Sequence, residues 1–108
     1  MKHVNIIPLL IAVLAFLVVT ASANDRYTEA MQKNIEIVYK GKSVEEIQAA
    51  VNAFERIGDA EKSKWEPFYY ASYGNLMIAL RGSDAATKDK HLDLALETLK
   101  KASAINPS

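Results

Sequence analysis

The sequence contains no cysteine among its 108 residues, and it has only three prolines and four glycines. The missing cysteine excludes a disulfide framework, a thiolate metal site, a thiol nucleophile and a lipid-modified cysteine. Basic and acidic side chains are equal in number, at 13 each, so the zero formal charge gives no reason to expect a nucleic-acid-binding protein. A chain of this length predicts one small domain and excludes a multidomain enzyme.

The first 23 residues are typical of an export signal. A short basic start precedes an uncharged run of 14 apolar residues, and Ala21-Ser22-Ala23 then fits the small-x-small cleavage pattern. A membrane anchor is the alternative, but a spanning helix needs about 20 apolar residues. We therefore predict a signal peptide over 1–23 that is cleaved after Ala23. The mature domain, 24–108, would be periplasmic or secreted and would have no membrane span.

The mature chain predicts an all-α fold of four helices in two antiparallel hairpins, about 25–63 and 65–105. No segment alternates apolar and polar residues with a period of two, so strands are not expected. Apolar residues instead recur at steps of three and four, which places them on one face of each helix. The predicted stripes are Tyr27, Ala30, Met31, Ile35 and Val38; Val44, Ile47, Ala50, Val51, Phe54 and Ile57; Tyr69, Tyr73, Leu76, Met77 and Leu80; and Leu92, Ala95, Leu96, Leu99, Ala102 and Ile105.

Local signals mark where these helices begin and end. Ser43 and Glu46 match a capping box at the start of the second helix. Gly41 suits a left-handed residue after the first helix, and the connection is short enough to make the two helices antiparallel. Ser83 is a predicted cap, and the polar stretch 83–90 is predicted to be a loop or a frayed helix start.

The second hairpin resembles a tetratricopeptide repeat. Its last helix has that repeat's order of small residue, large apolar residue, alanine and proline, at Ala95, Leu99, Ala102 and Pro107. The helix before it has the matching spacing at Tyr70, Tyr73, Gly74 and Met77. The resemblance implies that the small residues Gly74 and Ala95 let these two helices approach closely. The segment between those two residues is longer than in the standard repeat.

A second resemblance covers most of the mature chain. An export leader followed by short aromatic motifs, in this order, is similar to the tetratricopeptide-like secreted or periplasmic proteins of Bacteroidota-type bacteria. The motifs are Phe54-Glu55-Arg56-Ile57, Glu61-Lys62 and Trp65-x-Pro67-x-Tyr69-Tyr70-Ala71. The resemblance implies an α-solenoid and a non-enzymatic protein–protein interaction module of the cell envelope. Such a module would bind another protein or peptide on the concave side formed by the first helix of each hairpin.

The candidate partner-binding residues are Asn34, Phe68, Tyr70, Asn75 and Met77, and all but Met77 lie outside the apolar stripes. The cluster itself comprises Trp65, Phe68, Tyr69, Tyr70 and Tyr73. It either lines a peptide or small-ligand groove or fills the junction between the hairpins, and helical spacing favours the junction. Because three consecutive residues point in different directions, we expect Phe68 or Tyr70 to be exposed.

The remaining polar residues give no catalytic, metal or cofactor site. His91 is the only histidine of the mature chain, and the flanking Asp89 and Asp93 do not share a helix face with it. The alternative function is a structural or assembly subunit. Solenoids expose an apolar end unless it is capped and usually need about three repeats. A chain with two hairpins is therefore also predicted to form a homo-oligomer through its uncapped end.

Overall fold

The computed structural model describes residues 25–107, and these are almost entirely helical. The helices are α1, residues 25–40; α2, Val44–Ala60; α3, Glu66–Arg81; and α4, Ala85–Ile105. No strand occurs in this part of the chain, so the predicted all-α class is confirmed.

The chain divides into two compact units after Ala30. Of the first unit, the structure describes only residues 25–30, which are helical. The second unit begins at Met31, and every contact given below lies within it. The predicted signal peptide, 1–23, lies outside the described residues. Within residues 25–107, no helix combines the length and the apolar character needed to cross a membrane.

The predicted capping box is present at the start of α2. The Ser43 hydroxyl oxygen accepts a hydrogen bond from the Glu46 backbone N–H at 3.1 Å. The Glu46 carboxylate in turn accepts from the backbone N–H of Lys42, also at 3.1 Å. Both interactions satisfy N–H groups that have no partner within the helix, which fixes where α2 begins.

The prediction that Ser83 caps the last helix is wrong, because Asp84 does so. The Asp84 carboxylate accepts from the backbone N–H of Thr87 at 3.0 Å and from its hydroxyl at 2.9 Å. These two hydrogen bonds favour the charged form, and they lower the pKa of Asp84. With this cap in place, α4 begins at Ala85 and most of the polar stretch 83–90 is helical.

The core of the second unit lies between α2 and its two neighbours in the chain. Val38 from α1, Ile47, Val51 and Phe54 from α2, and Ile78 from α3 are each at most 1% exposed. The apolar stripe predicted for α2 is therefore largely correct. Burial of these branched and aromatic side chains removes apolar surface from water and so stabilises the unit.

A glycine brings α3 against both helices of the first hairpin. A Cβ atom at Gly74 would lie 2.5 Å from Val51 Cγ2 and 3.6 Å from Val38 Cγ2. The resemblance implied that this glycine faces the fourth helix, and the structure corrects that expectation. Because Gly74 has no side chain, α3 settles into the groove between α1 and α2.

The C-terminal ends of α1 and α3 also meet. The Arg81 guanidinium donates to the carbonyl oxygen of Gly41 at 2.9 Å, and the rings of Tyr39 and Tyr73 lie 5.1 Å apart. No glycine among residues 25–107 has a positive φ, so the left-handed conformation expected at Gly41 is absent. A Cβ there would instead lie 2.9 Å from Ile47 Cγ1, so the site requires a small residue for packing reasons.

Candidate binding groove

The polar residues buried in the described part of the chain all lie on α3 or α4. They are Ser72, Asn75, His91 and Thr98. The Ser72 hydroxyl donates to the carbonyl oxygen of Ala95 across the two helices at 2.6 Å. The Thr98 hydroxyl donates within α4 to the carbonyl oxygens of Leu94 and Ala95, at 2.9 and 3.2 Å. Each hydroxyl is thus satisfied, which offsets the cost of removing it from water.

The second cross-helix hydrogen bond joins His91 and Asn75. The Asn75 amide nitrogen donates to the carbonyl oxygen of Ala71 at 3.1 Å, which leaves its oxygen to accept from His91 Nδ1, also at 3.1 Å. Burial lowers the pKa of His91, and the neighbouring Lys90 adds to the effect, so the neutral ring with its proton on Nδ1 is favoured. His91 therefore has a structural role. No cluster that could hold a metal ion occurs within residues 25–107.

This polar packing leaves the leucines of α4 on the surface. The face of α4 that meets α3 carries His91, Ala95, Thr98 and Ala102. Leu92, Leu96 and Leu99 lie about a quarter turn away and are 45%, 54% and 41% exposed. The predicted α4 stripe is therefore wrong for its three leucines, whereas Ala95 and Ala102 are buried and Ile105 is half-buried. Small and hydrogen-bonded side chains fit between closely spaced helices, and the leucines do not.

The stripe predicted for α3 is exposed at three of its five residues for a related reason, and Tyr73 and Met77 are half-buried. Tyr69, Leu76 and Leu80 are 42%, 39% and 68% exposed. The two sides of α3 that pack against other helices carry mostly small residues, and these buried residues are Pro67, Phe68, Ala71, Ser72, Gly74, Asn75, Ile78 and Ala79. Because α3 already contacts α1, α2 and α4, the outer sides of Tyr69, Leu76 and Leu80 are left uncovered in the described fold.

The exposed apolar residues of both helices border a groove. Its upper part has a volume of about 350 Å³ and is lined by Tyr69, Ser72, Tyr73, Leu76, Ala95, Leu96 and Leu99. Its lower part, of about 260 Å³, is lined by Trp65, Tyr69, Leu99, Ala102, Ser103 and Asn106. The two parts share Tyr69 and Leu99, so we treat them as one α3–α4 groove. Trp65 to Leu76 spans about 16 Å at 1.5 Å per residue, roughly three helical turns.

Two of the predicted partner-binding residues are buried. Phe68 is 6% exposed, and its ring lies where a Cβ at Gly58 would be, with Lys101 Nζ 5.5 Å from the ring centroid. Asn75 is 2% exposed and holds His91. The expectation that these two side chains face a partner is therefore corrected, because neither reaches the surface.

The other three predicted residues, Asn34, Tyr70 and Met77, are half-buried. None of them lines the α3–α4 groove. The Tyr70 ring stacks on Phe54 with centroids 5.8 Å apart, so one of its faces belongs to the core. Their role on a concave side stays a prediction.

The aromatic cluster divides between core and groove. Phe68 is buried, whereas Tyr69 is the most exposed of the three consecutive aromatic residues. The Tyr69 ring meets Trp65 and Tyr70 edge to face, at 5.8 and 5.2 Å.

The sequence contained a signal for the face of α4 that packs against α3. His91, Ala95, Thr98 and Ala102 recur at steps of four, three and four, and this small and polar stripe is the face that packs.

Comparisons with known proteins identify no relative. No protein-family model, no curated protein and no solved structure matches this chain. What the protein does has to be inferred from the chemistry of its own surface, and the α3–α4 groove offers an apolar surface of definite shape.

Proposed function

We propose that this protein is a non-enzymatic protein–protein interaction module of the bacterial cell envelope, and that it binds its partner in the α3–α4 groove. The observation that carries the proposal is the row formed by Leu92, Leu96 and Leu99, each at least 41% exposed, beside a groove lined by further apolar side chains. Contiguous apolar surface of this kind is typical of interaction sites. The predicted leader and the resemblance to exported repeat proteins support the location.

The groove suits the apolar face of a helix. A helix in a groove presents apolar residues at steps of three and four, over a length comparable to the three turns available here. In the upper groove Ser72 donates its hydroxyl proton to Ala95, so Tyr69 and Tyr73 carry the remaining side-chain hydroxyls, and the other lining residues are apolar. The fold already contains such an arrangement, because α3 lies in the groove between α1 and α2.

Site-specific photo-cross-linking in the producing bacterium tests this proposal. A photoreactive residue is placed at Leu96 in the groove, at Met77 for the predicted concave side, and at Glu97 as a neighbouring exposed control. We expect a discrete adduct from position 96 and none from position 97. Adducts from position 77 alone would move the binding surface to the concave side. The absence of adducts from all three positions would contradict an interaction module.

The cellular location is tested separately. Intact-mass measurement of the protein recovered from the periplasm or the medium should give a chain that begins at Asn24. A chain that keeps residues 1–23 in the membrane fraction would support the anchor alternative instead.

A further inference from the structure

We propose that the occupant of the α3–α4 groove is α4 of a second copy of this chain, packed antiparallel about a two-fold axis close to Leu96. The inference rests on the proposed function and deepens it by naming the partner. The helix α4 is both a wall of the groove and an exposed apolar ridge. It forms one wall of the groove through Leu96 and Leu99, and it carries an exposed row of leucines.

The spacing of that row is the spacing of a helix–helix seam. Leu92, Leu96 and Leu99 are separated by four and three residues, and the same period continues to Asp89 and Ser103, both exposed. Residues repeating in this way lie along one line of a helix and pack against the same line of a neighbour. A surface that is both groove wall and ridge is self-complementary, as the interface of a two-fold dimer must be.

The charges beside the row favour an antiparallel pair. Asp93 and Lys100 directly follow Leu92 and Leu99, and seven residues separate them, so they lie on the same flank of the row. Both are exposed, and neither forms an ion pair within residues 25–107. Two antiparallel helices centred near Leu96 place Asp93 of each copy opposite Lys100 of the other. The two-fold axis therefore produces two such pairs.

The groove wall on α3 completes the interface. Tyr69 and Leu76 line the groove opposite Leu96, and 42% and 39% of their surfaces are exposed. A second α4 in the groove would cover these two residues together with the leucine row. A second α4 would then lie between α3 and α4 in the same way that α3 lies between α1 and α2 within one chain.

Sedimentation velocity over the micromolar range, on the full chain as exported, tests the proposal. The unaltered protein should form dimers. Leu96→Lys should be monomeric throughout, since it puts a charge from each copy into the apolar seam. Asp93→Lys places like charges opposite each other and should raise the dimer Kd about tenfold. Adding Lys100→Asp to Asp93→Lys reverses both partners and should restore the original Kd.

The matched control is Glu97→Lys. It makes the same change of charge on the same helix, but Glu97 lies on the side of α4 away from the leucine row, so the Kd should not change. Far-ultraviolet circular dichroism of every variant establishes that it is folded before its Kd is compared.

Disulfide trapping gives a second readout that does not depend on affinity. The sequence has no cysteine, so Leu96→Cys introduces a single thiol, and it lies next to its own copy across the two-fold axis. Oxidation should give a covalent dimer of Leu96→Cys and leave Glu97→Cys largely unlinked.

Several outcomes would overturn the second copy as the occupant. One is an unaltered protein that stays monomeric at high micromolar concentration, and another is a dimer that Leu96→Lys and Asp93→Lys leave intact. A Leu96 photo-adduct with a different protein would also overturn it. So would an adduct with residues 6–19 of the same chain, the apolar run of the predicted signal peptide. An adduct with a different protein would leave the proposed interaction function standing, whereas no adduct at all would remove both.

Discussion

The helix α3 packs on two sides, and the two junctions use different chemistry. The apolar junction joins α3 to the first hairpin through Val38, Val51, Phe54, Gly74 and Ile78, all of them without polar side chains. The polar junction joins α3 to α4 through hydrogen bonds from Ser72 to Ala95 and from His91 to Asn75, and the apolar residues that α4 buries are the small Ala95 and Ala102.

The hydrogen-bonded junction holds α3 and α4 together without burying the large side chains of α4. Buried apolar side chains stabilise the fold by the surface they remove from water, and this interaction has no preferred direction. Two directional bonds between α3 and α4 fix the register of the helices while using few large side chains. No buried side-chain nitrogen or oxygen within residues 25–107 lacks a partner. The leucines of α4 are consequently not needed inside the chain and remain available to a partner.

The largest difference in stability should come from truncating one large side chain in the apolar junction and one in the α3–α4 groove. Phe54→Ala in the apolar junction should lower the free energy of unfolding by about 3–5 kcal/mol, because it leaves a cavity in a close-packed core. Leu96→Ala in the groove should change it by no more than about 0.5 kcal/mol. Urea denaturation at a protein concentration low enough to dissociate the proposed dimer measures both. Similar losses for the two variants would contradict the assignment of Leu96 to the surface.

The next largest effect is a change in stability of opposite sign when each of two glycines is replaced by alanine. Gly74→Ala places a Cβ 2.5 Å from Val51 Cγ2, and the resulting strain of about 1–3 kcal/mol should outweigh the ~1 kcal/mol gained in helix propensity. Gly82→Ala meets its nearest atoms at 3.4 Å with φ at −66°, so it should stabilise the protein by about 0.4–1 kcal/mol. Thermal unfolding of the two variants checks the opposite signs. Stabilisation by Gly74→Ala would show that α3 does not approach the first hairpin so closely.

The polar junction can be probed by a double-mutant cycle on its central hydrogen bond. Asn75→Ala and His91→Ala each leave a buried polar partner unsatisfied, and their coupling energy should be about 1 kcal/mol. The matched control is the exposed bond from Gln48 to Asn52 on α2, with a distance of 3.0 Å and an expected coupling below about 0.5 kcal/mol. Equal coupling energies in the two cycles would remove the distinction between buried and exposed bonds.

The smallest predicted effect is a pH dependence that belongs to the polar junction alone. Burial and Lys90 lower the pKa of His91 in the folded chain. As the pH falls below about 6.5, the unfolded chain therefore takes up a proton that the folded chain does not, and the free energy of unfolding falls. Urea titrations between pH 7.5 and 5.5 should show this loss in the unaltered protein and a smaller one in His91→Gln. Identical slopes would show that His91 titrates normally.

Much of the local structure could be read from the residues alone. The absence of strands, the capping box at Ser43 and the buried stripe of α2 follow from short-range rules, because helix periodicity and capping involve residues within about one turn of one another. For the same reason the predicted hairpin boundary at 63–65 lies close to the observed one, with α2 ending at Ala60 and α3 beginning at Glu66. The cap of α4 was misplaced by one residue, since Ser83 and Asp84 are both suitable capping types.

The α3–α4 groove could not be predicted in that way. Periodicity shows that a helix has an apolar stripe, but a helix such as α3, with three neighbours, has several packed faces, and its largest residues need not be on any of them. Which face of α4 is buried depended on a hydrogen bond between Asn75 and His91, 16 residues apart, and on one from Ser72 to Ala95, 23 apart. The helical character of the protein is a property of neighbouring residues. The position of its exposed leucines follows from contacts between distant ones, because small and hydrogen-bonded side chains permit the closest approach of two helices.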